Sequence, residues 1–317
     1  MAIRDVGEPA PAEGEVLLEV VACGLCGSDL TLLKGGYPAG SILGHEGAGR
    51  VLSAPPGSAL GEGDLVAIRP MAWCGRCAYC TSGRGQLCPE GVAMGLVFSR
   101  PGAFAERIAV PEAWCSPVDG ADPIDATFAD PLAVSLHAVA RSGRTGVPVA
   151  VVGLGAIGMA TLLAARLESL APVAGVDPVE SKRERAVAAG AVAAFAPGDD
   201  LALARSLGGP PEVVFECTGR AEALQEAIGL VASGGVVVLV GIAPESRVQP
   251  IVMVPKEVDV SPTFCYRPEE WDRAVELIRE GRATVREHVD ARVPLEALPD
   301  AMTDFAEGRV SKVVVEP

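Results

Sequence analysis

The sequence predicts an α/β protein with two domains, one rich in short β-strands and one built on a doubly wound parallel sheet. Its 317 residues suffice for two domains, and 49% of them are hydrophobic, which is ample for two cores. Short apolar segments broken by glycine and proline extend to Pro111, and they predict the β-rich domain. From Ala129 onward, strand-like and helix-like segments alternate, as they do where helices connect parallel strands.

The first part of the chain predicts short strands separated by turns. Residues 15–23 (EVLLEVVAC) read as one strand. Residues 45–70 alternate Gly, Val and Pro, and residues 102–111 (GAFAERIAVP) continue in the same style. Strands of this kind, bounded by turn residues, are typical of a barrel-like β domain.

The second part of the chain predicts a regular alternation. Its first helix has apolar residues at helical spacing and closes at Gly143, and its first strand runs into a glycine-rich turn and an apolar helix. The predicted order is a helix over 129–142, a strand over 149–152 with its turn and helix, a strand at 173–178, a helix over 181–190, strands at 213–219 and 236–242, an amphipathic helix over 268–281 and a last strand within 310–317.

Composition excludes several classes of function. The formal charge of −15 argues against a nucleic-acid-binding surface. No apolar run reaches the roughly 18 residues that a membrane span needs, and no signal-peptide pattern begins the sequence. We therefore expect a cytoplasmic protein in a reducing compartment, and we expect its nine cysteines to bind metal rather than form a disulfide framework.

Four of these cysteines lie in one short run, C-x2-C-x2-C-x7-C, that predicts a closed zinc site. Thiolates this close in a loop rich in glycine and polar residues can converge on one ion, and four of them leave no position for water. The alternative is a pair of disulfides. The predicted ligands are Cys74, Cys77, Cys80 and Cys88.

The glycine-rich turn predicts a dinucleotide site. Gly153, Gly155 and Gly158 form G-x-G-x-x-G between an apolar strand and an apolar helix, which is the context that makes this motif specific. The helix N-terminus would face the pyrophosphate. Asp177 ends the next strand, where a carboxylate can accept hydrogen bonds from the adenosine ribose and repel a 2′-phosphate. NAD is therefore favoured over NADP, although the nearby Lys182 and Arg183 weaken this preference, and Asp177 could also be an ordinary surface residue.

Four further residues complete the predicted cofactor contacts. Two of them begin the helix after the glycine turn, and two lie in the turns that follow later strands. These residues are Ala156, Ile157, Thr218 and Gly241.

A second metal site is predicted from separate motifs. Cys26 lies in C-G-L-C-G-S-D, and His45 with Glu46 lies in G-H-E-G-A-G. Thiolate and imidazole suit Zn²⁺. Asp130 is our choice of third ligand, leaving a fourth position for water, Glu46 or substrate. The alternatives are a hydrogen-bonded core histidine at His45 and a helix N-cap at Asp130.

These motifs together resemble the zinc-containing medium-chain dehydrogenase/reductase family, which includes alcohol, sorbitol, threonine and butanediol dehydrogenases. The resemblance extends over nearly the whole chain, from C-G-S-D and G-H-E-G-A-G through the four-cysteine run, G-A-F-A-E and D-P-L-A-V-S-L-H-A-V to G-L-G-A-I-G and the ending K-V-V-V. It implies a GroES-like catalytic domain over residues 1–140 and 279–317, interrupted by a Rossmann domain over residues 141–278.

The resemblance also implies roles for particular residues. Cys26, His45 and Asp130 fall on zinc-ligand positions, and Glu46 falls on a position that can coordinate when substrate is absent. Ser28 falls on the hydroxyl that hydrogen-bonds the alcohol. Thr31 stands where the family often has the histidine of a proton relay. By analogy, Trp73, Leu96, Val97 and Phe98 could line the substrate cleft.

The predicted function is reversible oxidation of a secondary alcohol, polyol or cyclitol-like alcohol to a ketone, with hydride transfer to NAD. Two zinc ions per chain are expected, and a homodimer or homotetramer. Three alternatives stay open: an NADP(H)-dependent carbonyl reductase of the same fold, a zinc-independent NADPH reductase of double bonds, and a non-catalytic protein that binds zinc and nucleotide.

Overall fold

The computed structural model describes residues 1–36, 38, 40–96 and 100–317, which divide into two compact units. Unit 1 comprises Met1–Asp130 and Arg267–Pro317, and unit 2 comprises Pro131–Tyr266. The boundaries drawn from the sequence fall later in the chain, at residues 140/141 and 278/279. The difference arises because the helix beginning at Ala129 groups almost entirely with unit 2, and the helix beginning at Pro268 groups with unit 1.

A mixed sheet forms the framework of unit 1, and β1 lies at its centre. Within the described residues the order is β14-β15-β1-β2-β3-β7, with β6 also paired to β1. β14 and β15 run parallel to each other and the other pairings are antiparallel. A separate small hairpin joins β4 and β5. The strands are β1 (Glu15–Gly24), β2 (Glu46–Ser53), β3 (Leu65–Ile68), β4 (Met71–Ala72), β5 (Val92–Ala93), β6 (Arg107–Pro111), β7 (Cys115–Pro117), β14 (Ala291–Pro294) and β15 (Val313–Glu316).

Alternating burial along β1 fixes the core of unit 1. Val16, Leu18 and Val20 point into a cluster that also takes in Val313 and Val315 of β15. The helices of this unit are α1 (Gly27–Lys34), α2 (Ala78–Thr81), α3 (Pro123–Ala126), α10 (Pro268–Arg279) and α11 (Leu298–Ala306), with short 3₁₀ turns at Gly85–Leu87, Glu112–Trp114, Arg286–His288 and Leu295–Ala297.

A parallel sheet forms the framework of unit 2. The described strands follow the order β10-β9-β8-β11-β12-β13, so the chain reverses direction across the sheet between β8 and β11. In such sheets ligands bind beyond the carboxyl ends of the strands, next to this reversal. The strands are β8 (Val149–Val152), β9 (Val173–Val176), β10 (Ala193–Phe195), β11 (Val213–Glu216), β12 (Val236–Leu239) and β13 (Asp259–Pro262).

Burial on both faces explains the apolar strands of unit 2. All residues of β8, β9 and β11 are buried, as expected for parallel strands covered by helices on both sides. The helices are α4 (Ala129–Ser142), α5 (Ala156–Leu167), α6 (Glu180–Ala188), α7 (Asp200–Leu207), α8 (Ala223–Leu230) and α9 (Pro250–Met253), with a 3₁₀ turn at Val254–Lys256. The predicted α/β class and doubly wound sheet are confirmed. Among the described residues, no helix is both long and apolar enough to span a bilayer.

Candidate metal centres and cofactor site

The four cysteines predicted to bind structural zinc lie together in unit 1. Their sulfurs are all within 4.8 Å of one another, and the closest pairs are 3.5–3.9 Å apart. Four sulfurs at ~2.3 Å from one ion would be about 3.8 Å apart in a tetrahedron, so the spacing fits zinc. All four thiols are free, and these separations far exceed a disulfide bond of about 2.05 Å.

The local fold of this loop lowers the pKa of one of the four thiols. Cys77 is the N-cap of the short helix α2. The hydrogen bond from the backbone of Cys80 lowers the pKa of the Cys77 thiol to about 7, and burial together with the Cys77 sulfur raises the pKa of Cys80 to about 12. One thiol of the group thus has a lowered pKa before a metal ion binds, and metal binding favours ionisation of the others.

A second group of possible ligands lies where β1 and β2 meet. The ligand atoms of Cys26, His45 and Glu46 are within 4.8 Å of one another. Cys26 is the N-cap of α1, and β1 and β2 are paired with Gly24 opposite Glu46. Sheet register therefore joins two motifs that are separated in the sequence. The carboxylate of Asp130 is not among the described atoms that meet this distance limit, so ligation by Asp130 stays a prediction.

Asp29 supports both of these motifs, although the sequence reasoning gave it no role. It is fully buried, and its Oδ2 accepts a hydrogen bond from the Cys26 backbone N–H at 3.0 Å. Its Oδ1 lies 3.4 Å from His45 Nδ1, and neither atom has another hydrogen-bond partner. A carboxylate facing the far nitrogen of a histidine orients the near nitrogen toward a metal. The signal in the sequence was the capping pattern C-x-x-D.

The same neighbouring residues set the pKa of the His45 imidazole. Burial by itself lowers the pKa of this imidazole, but the negative charges of Asp29 and Cys26 outweigh burial and raise the pKa well above 6.5. A group of anions around a histidine that is 3% exposed attracts a cation. Together with the ligand atoms of Cys26, His45 and Glu46 lying within 4.8 Å of one another, this fits a zinc ion bound by thiolate and imidazole.

Glu46 forms a buried ion pair with Lys312, which the sequence reasoning also missed. Lys312 Nζ contacts Glu46 Oε2, and the two side chains are only 3% and 4% exposed. Burial lowers the pKa of Lys312, but the charge and hydrogen bond of the Glu46 carboxylate outweigh burial and raise it. Gly24 makes room for the pair, because a Cβ there would overlap Glu46 Oε2 and lie 2.7 Å from Lys312 Nζ.

The two predicted proton-carrying hydroxyls differ in their surroundings. Ser28 Oγ lies 3.2 Å from Cys26 Sγ and 3.3 Å from His45 Nε2, so it lies among the candidate ligands. Thr31 is exposed on α1, and its hydroxyl donates to the Gly27 carbonyl at 3.2 Å. Of the predicted cleft residues, Trp73 and Leu96 are partly buried, whereas Val97 and Phe98 lie outside the described residues.

The glycine-rich turn of unit 2 has the close approaches that its motif requires. Gly153 has φ of +88°, which strains any residue with a Cβ, and it packs against Thr218. A Cβ on Gly158 would overlap the Gly153 carbonyl oxygen. Gly155 is the N-cap of α5, so its turn leads directly into the helix N-terminus. This is the backbone shape that admits a pyrophosphate.

Asp177 lies beside this turn at the end of β9. It is 5% exposed, and its carboxylate accepts hydrogen bonds from the backbone N–H groups of Leu154 at 2.8 Å and Val179 at 2.9 Å. The neighbouring Arg183 donates to the backbone carbonyls of Asp177 and Pro178, each at 2.9 Å. These two hydrogen bonds to backbone carbonyls hold the guanidinium of Arg183 in place.

A cavity of about 820 Å³ opens at this end of the sheet. Four predicted cofactor residues line it, namely Gly153, Gly155, Asp177 and Thr218, together with Lys182. The remaining five are not among its described lining residues: Ala156, Ile157, Gly158, Arg183 and Gly241. Gly158 and Gly241 instead lie against neighbouring backbone, so they shape the turns.

The comparisons with known proteins agree with this geometry. An alcohol dehydrogenase GroES-like domain matches residues 12–120, and a zinc-binding dehydrogenase domain matches residues 156–280. L-arabinitol 4-dehydrogenase of Aspergillus niger is 30% identical and aligns with 96% of this chain and 85% of its own. The chain belongs to the zinc-dependent medium-chain dehydrogenase family.

Two further members of this family align over nearly the whole chain. Sorbitol dehydrogenase of Gallus gallus is 31% identical over 99% of this chain and 92% of its own. The crystal structure of a zinc-binding dehydrogenase from Sinorhizobium meliloti 1021, bound to NADP, has a TM-score of 0.91 and 33% identity, covering 100% of this chain and 96% of that one.

Family membership confirms the predicted class of function. The protein is a zinc-dependent oxidoreductase that converts an alcohol to a ketone with a nicotinamide cofactor. The predicted GroES-like and Rossmann-type domains are confirmed as well.

Proposed function

We propose that the protein oxidises a polyol, or a secondary alcohol of similar shape, with NAD and with two zinc ions per chain. The observation that carries this proposal is the meeting of Cys26, His45 and Glu46 within 4.8 Å, with the Ser28 hydroxyl beside the first two. The polyol substrate is supported by the relatives named for L-arabinitol and sorbitol.

The proposed mechanism assigns one task to each group near the second metal site. Zinc bound by Cys26 and His45, with Asp130 as the predicted third ligand, would supply Lewis acidity that favours loss of the alcohol proton. Ser28 Oγ would accept that proton as it passes its own hydroxyl proton on towards solvent. Asp29 keeps the imidazole of His45 in the orientation for ligation.

Lys312 and Thr31 have supporting tasks in this proposal. Lys312 holds the carboxylate of Glu46, which restricts Glu46 as a competing ligand. Thr31 is exposed and can return the proton to solvent through its hydroxyl.

The cofactor would lie at the cavity of unit 2, where nicotinamide supplies the hydride acceptor. NAD is favoured over NADP because the Asp177 carboxylate lines the cavity. Two of its roughly four acceptor positions are used by backbone N–H groups, which leaves positions for ribose hydroxyls. Two cations also line the cavity, Lys182 and Arg220, and Arg220 pairs with Glu226, so Lys182 is the one that could favour a phosphate instead.

A homodimer through the β13 edge of the parallel sheet would complete the assembly. Within the described residues β13 pairs only with β12, so its other edge has unpaired backbone groups. The flanking segments carry exposed apolar side chains at Ile251, Val254 and Phe264. Because none of the nine cysteines is joined in a disulfide, a reducing cytoplasm suits the protein.

The test combines a substrate panel with metal analysis. L-arabinitol, sorbitol, secondary alcohols and cyclitols are assayed with NAD⁺ and NADP⁺, and zinc is counted by mass spectrometry. We expect NAD-linked oxidation and two zinc ions per chain. Cys26→Ser should abolish turnover, remove one zinc ion and leave the fold intact, as judged by circular dichroism.

Other results would contradict the proposal. Full zinc content without turnover on any alcohol would favour a non-catalytic protein. A clear preference for NADP⁺ would refute the role given to Asp177.

A further inference from the structure

Glu216 is a buried carboxylate that the proposed mechanism does not use. It is the last residue of β11, in the sequence V-V-F-E-C-T-G, and it is 2% exposed. Burying a carboxylate is costly unless hydrogen bonds compensate it. Its hydrogen bonds compensate this cost and hold neighbouring groups in place.

One carboxylate oxygen organises the turn that follows β11. Glu216 Oε1 accepts hydrogen bonds from the Thr218 backbone N–H at 2.6 Å, the Thr218 hydroxyl at 2.5 Å and the Gly219 backbone N–H at 3.2 Å. These donors point inward at the carboxylate. The residues of this turn that line the cavity are Cys217, Thr218 and Arg220.

The turn held by Glu216 packs against the glycine-rich turn. A Cβ on Gly153 would lie 2.6 Å from Thr218 Cγ2 and 3.2 Å from the Thr218 backbone nitrogen. Thr218 therefore packs directly against Gly153, and both residues line the cavity. If Thr218 shifts, the wall beside the predicted pyrophosphate position shifts with it.

The turn after β12 packs against the same carboxylate. The Gly241 backbone N–H donates to the Glu216 carbonyl at 2.8 Å. A Cβ on Gly241 would overlap the Gly219 backbone nitrogen and lie 3.0 Å from Glu216 Oε2. Glu216 therefore joins the turns after β11 and β12 and, through Thr218, the turn after β8.

We propose that Glu216 is a positioning residue for the nicotinamide cofactor. It fixes the turn at residues 217–219 so that Thr218 stands against Gly153 at the correct distance for the bound dinucleotide. This proposal rests on the proposed function, since it takes the cavity of unit 2 as the cofactor site.

The experiment measures cofactor affinity in three variants of one residue. Glu216→Gln keeps a carbonyl oxygen that can accept the same three hydrogen bonds, Glu216→Asp keeps the charge on a shorter arm, and Glu216→Leu removes the acceptor. NADH and NADPH binding are titrated by fluorescence well below each variant's melting temperature, with zinc content and the KM values for cofactor and alcohol measured alongside.

A matched control separates positioning from stability. Leu207 lies in the apolar core of unit 2 and does not line the cavity, so Leu207→Ala should lower the melting temperature without changing NADH affinity. We expect Glu216→Gln to bind NADH within about threefold of wild type, and Glu216→Leu and Glu216→Asp to bind at least tenfold more weakly. The cofactor KM should rise with them while the alcohol KM stays constant.

The outcomes distinguish the two proposals. If wild type binds neither NADH nor NADPH, the proposed cofactor site is wrong. If wild type binds and the Glu216 variants bind equally well, the positioning role is wrong. If Glu216→Leu does not fold, the order of Glu216→Gln and Glu216→Asp decides, because weaker binding by the Gln variant would mean that charge rather than geometry matters.

Discussion

The buried pair of Glu46 and Lys312 offers a direct test of the forces at the second metal site. In Lys312→Met an unbranched apolar side chain replaces the ammonium group. Glu46 then stays in the interior, 4% exposed, without its cation. The carboxylate must become protonated, draw in water or force the surrounding strands apart.

The size of the effect follows from this burial. Removing one partner of a buried pair typically costs about 3–5 kcal/mol, because the other charge is left uncompensated. At roughly 2–4 °C per kcal/mol for a domain of this size, the melting temperature should fall by about 10 °C. Replacing both residues, in Glu46→Met with Lys312→Met, should restore most of the loss, because no unpaired charge remains.

Two assays examine this prediction. Denaturant unfolding followed by tryptophan fluorescence gives the free energy of unfolding for wild type, both single variants and the double variant, with and without a zinc chelator. Zinc offers Glu46 another cation, so the loss should be larger in the chelated protein. Because the pKa of Lys312 is raised, its contribution to wild-type stability is fully present below about pH 10.4 and is lost as the pH rises through the raised pKa. Measurements at pH 7 therefore compare the variants with the intact ion pair.

Additive changes in the free energy of unfolding would show that Glu46 and Lys312 are not coupled. If Lys312→Met stays within about 1 kcal/mol of wild type, or if the double variant is as unstable as the sum of the singles, the pair is not coupled.

Four other predictions concern separate parts of the molecule. Cys80→Ser should reduce zinc from two ions to one and lower the melting temperature before it alters kcat; an early loss of kcat with stability intact would contradict a structural role. Asp29→Ala should weaken zinc binding at the second site by about 10–100-fold, measured by competition with a chelator, and unchanged affinity would argue against its support of the ligands. Asp177→Ala should raise the Kd of NADH more than that of NADPH, with an unaltered ratio counting against ribose recognition. The pKa of Glu15 is lowered by the Ala12 N–H and by Arg100, so its stabilisation is present above about pH 4.3 and is lost as the pH falls through the lowered pKa; the difference in melting temperature between wild type and Glu15→Gln should therefore shrink as the pH is lowered through that range, and a constant difference would exclude this cause.

Local motifs allowed much of the structure of this protein to be predicted from its sequence. The four cysteines lie so close along the chain that one loop brings their sulfurs together. The glycine turn likewise connects a strand directly to the helix that follows it. The strands at 149–152 and 213–216 were predictable because burial on both faces demands continuous apolar runs. In these cases the chemistry depends on neighbours in sequence.

Tertiary structure decided the contacts between distant segments. Lys312 reaches Glu46 because β1 pairs with β2 on one side and β15 on the other, which places Gly24 opposite both Glu46 and Val314. No local pattern marks such a partner, since strand register is set by packing of the whole sheet. Glu216 could not be identified from the sequence for the same reason. Its hydrogen bonds are with residues close to it in the chain, but the effect of these bonds depends on turns that follow two other strands. The sequence by itself indicated the candidate ligands and the cofactor motif, and only the packed sheets decided which charges and turns lie against them.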